Sequence, residues 1–416
     1  MVKFDTTRVE ETIDFILNGV ANRTIWDEHY CQLVEEVANC LHWSELALKL
    51  AVARIEVDVE HGKDLAAALK RYLFDYRHDY ERLLLDPDFA NADEHVRAIR
   101  TASSVSLSSL KQRCDRGQDS FPMELLSFMT FFNPAGTQDE LWRLGSLALD
   151  EACNRTRVEA PVWMRTLFKK DRAGRWDDTA YRETIRALWR YHLVTPVGEP
   201  WRGITMHGAV RQQVGMDMVN LEYWRLYVVF MTAACVQSEK EEGEAQFQQH
   251  LIMHLPPNDY LRGFGAGPHA RGLRWLWLAI ARVLSKAYEW RAAEELVTWT
   301  IEESSKLVGK NHPNTITAMA NLATLYCNQG RWTDAEVLDV KVLNARSIVL
   351  GKEHLDTITA MDDLAATYEN LGRSEEAKVL VLKALKSRFE AFGDKHPDMT
   401  VAINKFIATY YRHASK

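Results

Sequence analysis

Two histidines have the spacing that metal ligands on a helix would have. His250 and His254 lie four residues apart in a stretch predicted to be helical from Gln246 to Leu255, so both imidazoles would share one helix face, as a zinc pair requires. No glutamate follows His250 as it does in zinc proteases, and the sequence offers no evident third ligand. The pair is better explained as two histidines packed at the end of a helix, and we predict no bound metal.

The motifs of common enzyme chemistry are also missing from the sequence. A phosphate-binding loop needs Gly-Lys followed by Ser or Thr, whereas the Gly-Lys pairs that begin at Gly62, Gly309 and Gly351 continue with other residues. There is no Gly-x-Ser-x-Gly elbow. The six cysteines form no Cys-x-x-Cys pair, which favours reduced thiols. We therefore predict that the protein is not an enzyme and needs no cofactor.

One sequence pattern returns at a fixed spacing in the C-terminal part of the chain. It begins with Gly and carries His three residues later, at Gly309 and His312, Gly351 and His354, and Gly393 and His396. In each unit an Ala, then a Leu or a Phe, and then a Tyr follow at the same spacing. A period between about 20 and 50 residues indicates stacked supersecondary units, so the sequence predicts a solenoid.

Each repeat contains two apolar periodicities near 3.6, which predicts a helical hairpin. In the clearest unit, a first helix from about Asn314 to Asn328 would bury Met319, Leu322, Ala323 and Tyr326. Gly330 would end it in a left-handed conformation, and a second helix would follow from about Thr333 to Leu350. A degenerate unit precedes this one, and the final unit stops after its first helix. The array therefore holds about three and a half units.

These repeats resemble the tetratricopeptide repeat (TPR), in the long form found in kinesin light chain. Residues 309–335 carry the resemblance through Gly-x-x-His-Pro-x-Thr, then Asn-Leu-Ala-x-x-Tyr, then Gly-Arg-x-x-x-Ala. The resemblance implies a concave groove, lined by the first helices, that grips an extended peptide. Asn321 matches the favoured donor of such grooves. Asp363 and Lys405 replace it in the later units, which argues against a clamp for an acidic peptide terminus.

The predicted partner-binding residues are polar and point away from the buried stripe of the first helices. They are Thr317, Asn321, Thr324, Asn328, Thr359, Asp363, Asn370 and Lys405. Solvated polar positions on a helix surface would have the same appearance. Both interpretations, a peptide groove and a solvated face, are open at this stage.

Composition limits the class of protein further. The 416 residues are 47% hydrophobic and 26% charged, which is typical of globular domains. The formal charge is −7 and no long basic run occurs, so we predict no nucleic-acid partner. No apolar stretch approaches the length of a membrane span, and the N-terminus lacks an apolar signal core. We therefore predict a cytoplasmic protein that does not bind membranes.

The N-terminal part resembles the small helical subdomain of NB-ARC regulatory ATPases, which belong to the STAND class. The resemblance rests on residues 34–40, 46–51 and 106–110, in that order. Family members carry Gly-Leu-Pro before the second motif, where this chain has Trp43, Ser44 and Glu45. It thus lacks the proline that touches nucleotide in the family. The parallel-sheet domain and its phosphate loop have no counterpart in the sequence.

A winged-helix-like domain is predicted next. Helices over Gln138–Cys153 and Thr179–Tyr191 precede a small β-hairpin, with strands at 193–195 and 203–206 and a turn at 196–198. Winged helices often bind DNA, but the acidic balance and the lack of a basic recognition helix argue against it. Met206-His207-Gly208 resembles the Met-His-Asp motif of NB-ARC proteins, whose His holds the nucleotide phosphate. His207 is therefore the candidate nucleotide contact.

These patterns predict a mostly all-α chain with four regions. They are a helical subdomain at 1–119, a winged-helix-like domain at 120–218, connecting helices at 219–262 and a TPR solenoid at 263–416. The predicted function is that of a non-catalytic adaptor binding a protein or peptide in the TPR groove, with no prediction of oligomeric state. The alternatives are an ADP- or ATP-responsive switch that uses His207, a winged-helix DNA binder, and a fragment of a longer NB-ARC–TPR protein.

Overall fold

The computed structural model describes residues 28–116, 121–198, 202–215, 221–240, 245–255 and 274–392. The chain divides into two compact units. Unit 1 combines residues 1–147 and 159–230, and unit 2 combines residues 148–158 and 231–416. Three features that the sequence predicts lie outside the described residues: a first helix at 7–17, a linker at 256–268, and the final repeat helix with Lys405.

Helices dominate the N-terminal part, with three short strands between them. The helices are α1 (Glu28–Cys40), α2 (Glu45–Glu60), α3 (Leu65–Leu83), α4 (Pro87–Ala90), α5 (Glu94–Asp115), α6 (Pro122–Met129), α7 (Asp139–Thr156), α8 (Val162–Leu167), α9 (Thr179–Arg190) and α10 (Gly208–Gly215). The strands are β1 (Thr137–Gln138), β2 (Thr195–Val197) and β3 (Gly203–Thr205).

The predicted hairpin is present, but it belongs to a three-stranded antiparallel sheet in the order β1-β3-β2. Thr195 lies opposite Thr205, and Thr137 lies opposite Ile204. The predicted strand at 193–195 and turn at 196–198 were placed two residues too early, because β2 includes both Pro196 and Val197. Proline is tolerated there because β2 is an edge strand and needs no further donor. β1 was missed because a two-residue strand shows no alternation.

Short segments separate the N-terminal helices. Pro87 begins α4, with the Asp86 side chain accepting from the Asp88 N–H at 3.0 Å. Proline suits this position because its missing N–H would have no helical partner. Between α1 and α2, His42 and Trp43 have φ values of 50° and 55°. Trp43 thus adopts a left-handed conformation that usually favours glycine.

The core of unit 1 contains a cluster of aromatic rings. Phe128 packs edge-to-face on Phe230 with ring centroids 5.6 Å apart, and Trp142 stacks on Phe168 at 5.6 Å. Gly145 lies directly over Phe230, since an added Cβ would come within 2.2 Å of the ring. These five residues let α6, α7 and the Phe230 ring approach closely, as dense interiors require.

Arg211 joins α10 to the end of α6. Its guanidinium donates to the carbonyl oxygens of Met129, Thr130 and Phe132 at 3.1, 2.7 and 2.7 Å. The last carbonyls of a helix lack intrahelical donors, so the half-buried Arg211 side chain satisfies the end of α6. This contact fixes the segment after β3 against the aromatic cluster.

The remaining helices are arranged mostly as consecutive antiparallel pairs. They are α11 (Leu221–Lys240), α12 (Ala245–Ile252), α13 (Arg274–Lys286), α14 (Trp290–Val308), α15 (Pro313–Asn328), α16 (Trp332–Val349), α17 (Leu355–Asn370) and α18 (Ser374–Phe392). The pairs α13–α14, α15–α16 and α17–α18 match the degenerate unit and the two complete units predicted from the repeat period. Each pair contacts the next through neighbouring helices.

The two histidines of the candidate zinc pair do not share a helix. α12 ends at Ile252, so the prediction of a helix reaching Leu255 was wrong, and His254 lies in the turn beyond it. Their rings meet edge-to-face with centroids 5.8 Å apart. Among the described residues, no three His, Cys, Asp or Glu side chains are grouped as metal ligands. No helix in the described ranges is long and apolar enough to cross a bilayer.

Candidate functional site

The Gly-x-x-His motif of the repeats builds the start of each first helix. The His312 Nδ1 atom accepts from the Asn314 N–H at 3.2 Å, and the Thr315 hydroxyl donates to the Gly309 carbonyl at 2.9 Å. Gly309 has a φ of +97°, which glycine adopts at little cost. The same contacts recur in the next repeat, at 3.1 and 2.7 Å. The most conspicuous motif of the chain therefore caps helices.

The Tyr and Gly-Arg positions of the repeats connect each unit to the one before it. Arg331 lies over the Tyr326 ring, 4.0 Å from its centroid, and donates to Glu294 of the preceding pair at 3.0 Å. In the next unit, Arg373 repeats the geometry over Tyr368 and reaches Glu336 at 2.5 Å.

This arrangement corrects the predicted buried stripe of α15. Tyr326 and Met319 are only half-buried, because Tyr326 serves as a platform for Arg331. Leu322 and Ala323 are buried as predicted. The buried side of α15 also includes residues that the stripe omitted, namely Thr315, Ile316, Ala318 and Leu325.

Three of the predicted groove residues line one cavity within unit 2. Asn321, Thr324 and Asn328 of α15 face α13 across a space of about 160 Å³. Most of its surface is apolar, and the polar groups lie at its walls. The other lining residues are Leu278, Ala281, Arg282, Ser285, Lys286, Val297 and Leu325.

The other predicted groove residues do not line this cavity. Thr317 lies one turn earlier on α15, and Thr359, Asp363 and Asn370 lie on α17; all four are exposed. Lys405 is outside the described residues. Three of the predicted groove side chains donate to the carbonyl oxygen four residues earlier in their own helix. They are Asn321 at 2.8 Å, Thr324 at 3.1 Å and Asn370 at 2.8 Å.

Two cationic residues that line the cavity were not among the groove residues predicted from the sequence. Arg282 and Lys286 stand exactly one repeat before Thr324 and Asn328, so the repeat period already marked them as groove positions. Their residue types differ from those at the same positions of the later units, so the period alone marks them. Arg282 donates to Glu239 at 2.6 Å, whereas Lys286 is exposed at the cavity wall.

A buried carboxyl group lies between the two complete repeats. Asp339 of α16 accepts from the Thr367 hydroxyl of α17 at 2.7 Å. Burial, with the nearby charge of Asp363 as a minor cause, raises the pKa of Asp339 to about 6, although the Thr367 bond opposes the shift. The equivalent positions in the preceding and following repeats are Val297 and Val381, so this polar contact is specific to one unit.

His207, the candidate nucleotide contact, caps a helix. Its Nδ1 atom accepts from the Ala209 N–H at 3.2 Å, at the start of α10. Desolvation lowers the pKa of His207 below its usual value. The ring is therefore neutral at pH 7, with its proton on Nε2. A neutral ring offers a phosphate one N–H donor and no positive charge.

Comparison with known proteins identifies the repeats. The family model of the tetratricopeptide repeat matches residues 315–388, which lie in α15 to α18. The chain therefore combines a mostly all-α fold with a TPR solenoid. No curated protein matches the sequence.

Solved structures include distant likenesses. BtubC (BKLC) from P. vanneervenii is 13% identical, with a TM-score of 0.35 over 48% of this chain and 77% of its own. A kinesin light chain of Podosopora anserina with nearly identical TPR-like repeats is 16% identical, with a TM-score of 0.33 over 46% and 80%. A form of that protein with a single substitution gives the same identity and TM-score over 46% and 79%. At such TM-scores these likenesses say nothing about what this chain binds.

Proposed function

We propose that this protein is a non-catalytic adaptor that binds an extended peptide segment of a partner protein between α13 and α15. The cavity lined by Asn321, Thr324 and Asn328 is the observation that carries this proposal. TPR arrays serve generally as scaffolds for protein–protein interaction, so a peptide is the ligand class to test first.

The cavity has the chemistry that peptide recognition needs. Leu278, Val297 and Leu325 give it an apolar floor suited to one side chain of a peptide. Two carboxamides at its wall can bond to the peptide backbone, which has a donor and an acceptor at each residue. Lys286 adds a positive charge that suits an acidic residue beside the inserted side chain.

The wider assignment rests on sequence resemblance. In this proposal, unit 1 is a platform related to the helical and winged-helix subdomains of NB-ARC signalling proteins, acting in the cytoplasm. Two local features support it: the hairpin at β2 and β3 that follows α9, and the left-handed Trp43 at the position where that family carries glycine.

A displayed peptide library selected on the full chain tests the peptide site. The affinity of a selected peptide is measured by fluorescence anisotropy with the wild type and with Asn321→Ala combined with Asn328→Ala. Loss of two hydrogen-bonding groups predicts binding weaker by about tenfold or more.

The matched control is Lys341→Ala, an exposed substitution on α16 away from the cavity. It is expected to leave the affinity unchanged. Equal binding by the wild type and the double variant would refute the proposed site, and selection of no peptide at all would refute the proposed function.

A further inference from the structure

A second cavity lies in unit 1, between α9 and the small sheet. Its volume is about 250 Å³, and it is lined by Asp139, Tyr181, Arg182, Ile185, Arg186, Pro196, Val197, Arg202, Gly203 and Ile204. The Asp139 N–H donates to the Arg202 carbonyl at 3.0 Å, which fixes the start of α7 against the start of β3. Regular secondary structure therefore supplies most of the cavity wall.

The charge of the cavity is strongly biased. Among the described residues, the lining includes three arginines, Arg182, Arg186 and Arg202, and one carboxyl group, that of Asp139. Arg182 is also paired with Asp178, which is not among the lining residues. Arg186 and Arg202 are exposed. Arginines gathered at one concave surface favour anions with several acceptor oxygens, because each guanidinium can donate in parallel to two of them.

A tyrosine hydroxyl beside Asp139 also lines the cavity. Tyr181 is buried at 2% exposure, and its hydroxyl interacts with the Asp139 carboxyl group. Burial raises the pKa of Tyr181 well above its usual value, so the hydroxyl keeps its proton and remains a donor. With Asp139 as its acceptor, this hydroxyl holds the carboxyl group at the cavity wall.

We infer that this cavity binds a small phosphate monoester, held by Arg182, Arg186 and Arg202. Asp178 is paired with Arg182, so the described residues set three guanidiniums against two carboxylates, and the remaining positive charge favours an anion such as a phosphate monoester. The cavity has room for a phosphate group with a short carbon chain. The apolar side chains of Ile185 and Ile204 would contact the chain.

Calorimetric titration of the full chain with glycerol phosphate and with inorganic phosphate tests the inference, and glycerol serves as the uncharged control. Saturable heat with both phosphates and none with glycerol is expected. Arg186→Gln should weaken phosphate binding about tenfold or more. Asp139→Asn should strengthen it, since this change removes the carboxylate that repels the ligand.

Arg165→Gln is the matched control, because Arg165 is exposed on α8 and does not line the cavity. It removes the same charge and should leave the affinity unchanged. Absence of heat up to about 10 mM phosphate would overturn the inference, as would equal weakening by both arginine variants. Retention of duplex DNA that Arg186→Gln abolishes would also overturn it, in favour of a nucleic-acid surface.

Discussion

At the scale of single residues, Asp339 is a buried position where one unit departs from its neighbouring repeats. Valine occupies the equivalent positions 297 and 381, yet Asp339 places a carboxyl group at a buried site. A carboxylate taken out of water loses hydration that one hydroxyl donor replaces only in part. The pKa of Asp339, raised to about 6, reflects this incomplete replacement of hydration.

We predict that Asp339→Val stabilises the protein at pH 7.5 and not at pH 4. Because the folded-state pKa lies above the unfolded value of 3.8, the folded state binds the proton more tightly. The contribution of Asp339 to wild-type stability is therefore fully present at low pH and is lost as the pH rises through about 6. Raising the pKa from 3.8 to about 6 corresponds to about 3 kcal/mol at pH 7.5, and loss of the Thr367 hydrogen bond offsets about 1 kcal/mol. The net gain in free energy of unfolding should therefore be about 2 kcal/mol.

Urea unfolding of both proteins across this pH range measures the effect. Asp363→Asn is a suitable control, since Asp363 is exposed and affects Asp339 only through its charge; its effect should be much smaller. A benefit of Asp339→Val that is the same at both pH values would mean that the carboxyl group is not the source of the instability.

At the scale of secondary-structure elements, the close approach of α7 to the Phe230 ring depends on Gly145. An added Cβ would lie 2.2 Å from the Phe230 ring, and that ring is fixed by Phe128, Phe132 and Phe168. Moving the Phe230 ring away would cost free energy because the surrounding core is densely packed. This makes Gly145 a packing residue in spite of its low helix propensity.

Gly145→Ala should accordingly lower the free energy of unfolding by about 2 kcal/mol, because overpacking outweighs the better helix propensity of alanine. Gly208→Ala at the start of α10 is the comparison, since an added Cβ there meets nothing within 4 Å. Thermal unfolding of the two variants measures the difference. A Gly145 variant as stable as the Gly208 variant would show that the helix can move away from the ring.

The sequence predicted the elements whose patterns are periodic and missed those without a period. The register of the repeats located α13 to α18, and the helical period of apolar residues located most other helices. β1 was missed because Thr137 and Gln138 are too few to alternate. Half of the cavity at α13 was missed because Arg282 and Lys286 lie in a degenerate unit. The role of Tyr326 as a platform for Arg331 depends on tertiary contact, which no local pattern encodes.

At the scale of the whole molecule, the repeats use their recurring residues for architecture. His312 and His354 cap helices, and Arg331 and Arg373 tie each unit to the preceding one. Residues that differ between units are therefore the ones free to specify a partner. Asn321 and Asp363 occupy the same repeat position with different chemistry, so a peptide lying along the groove would meet a different group at each unit.

Hydrogen–deuterium exchange of the full chain, with and without a library-selected peptide, tests this account most directly. Occupation of the cavity predicts slower exchange in 274–286 and 313–328, the two helices that form its walls, with little change in α16 and α18. Amides in contact with a bound ligand open less often. Protection confined to unit 1, or to the second helices of the repeats, would contradict the claim that the groove between α13 and α15 is the binding site.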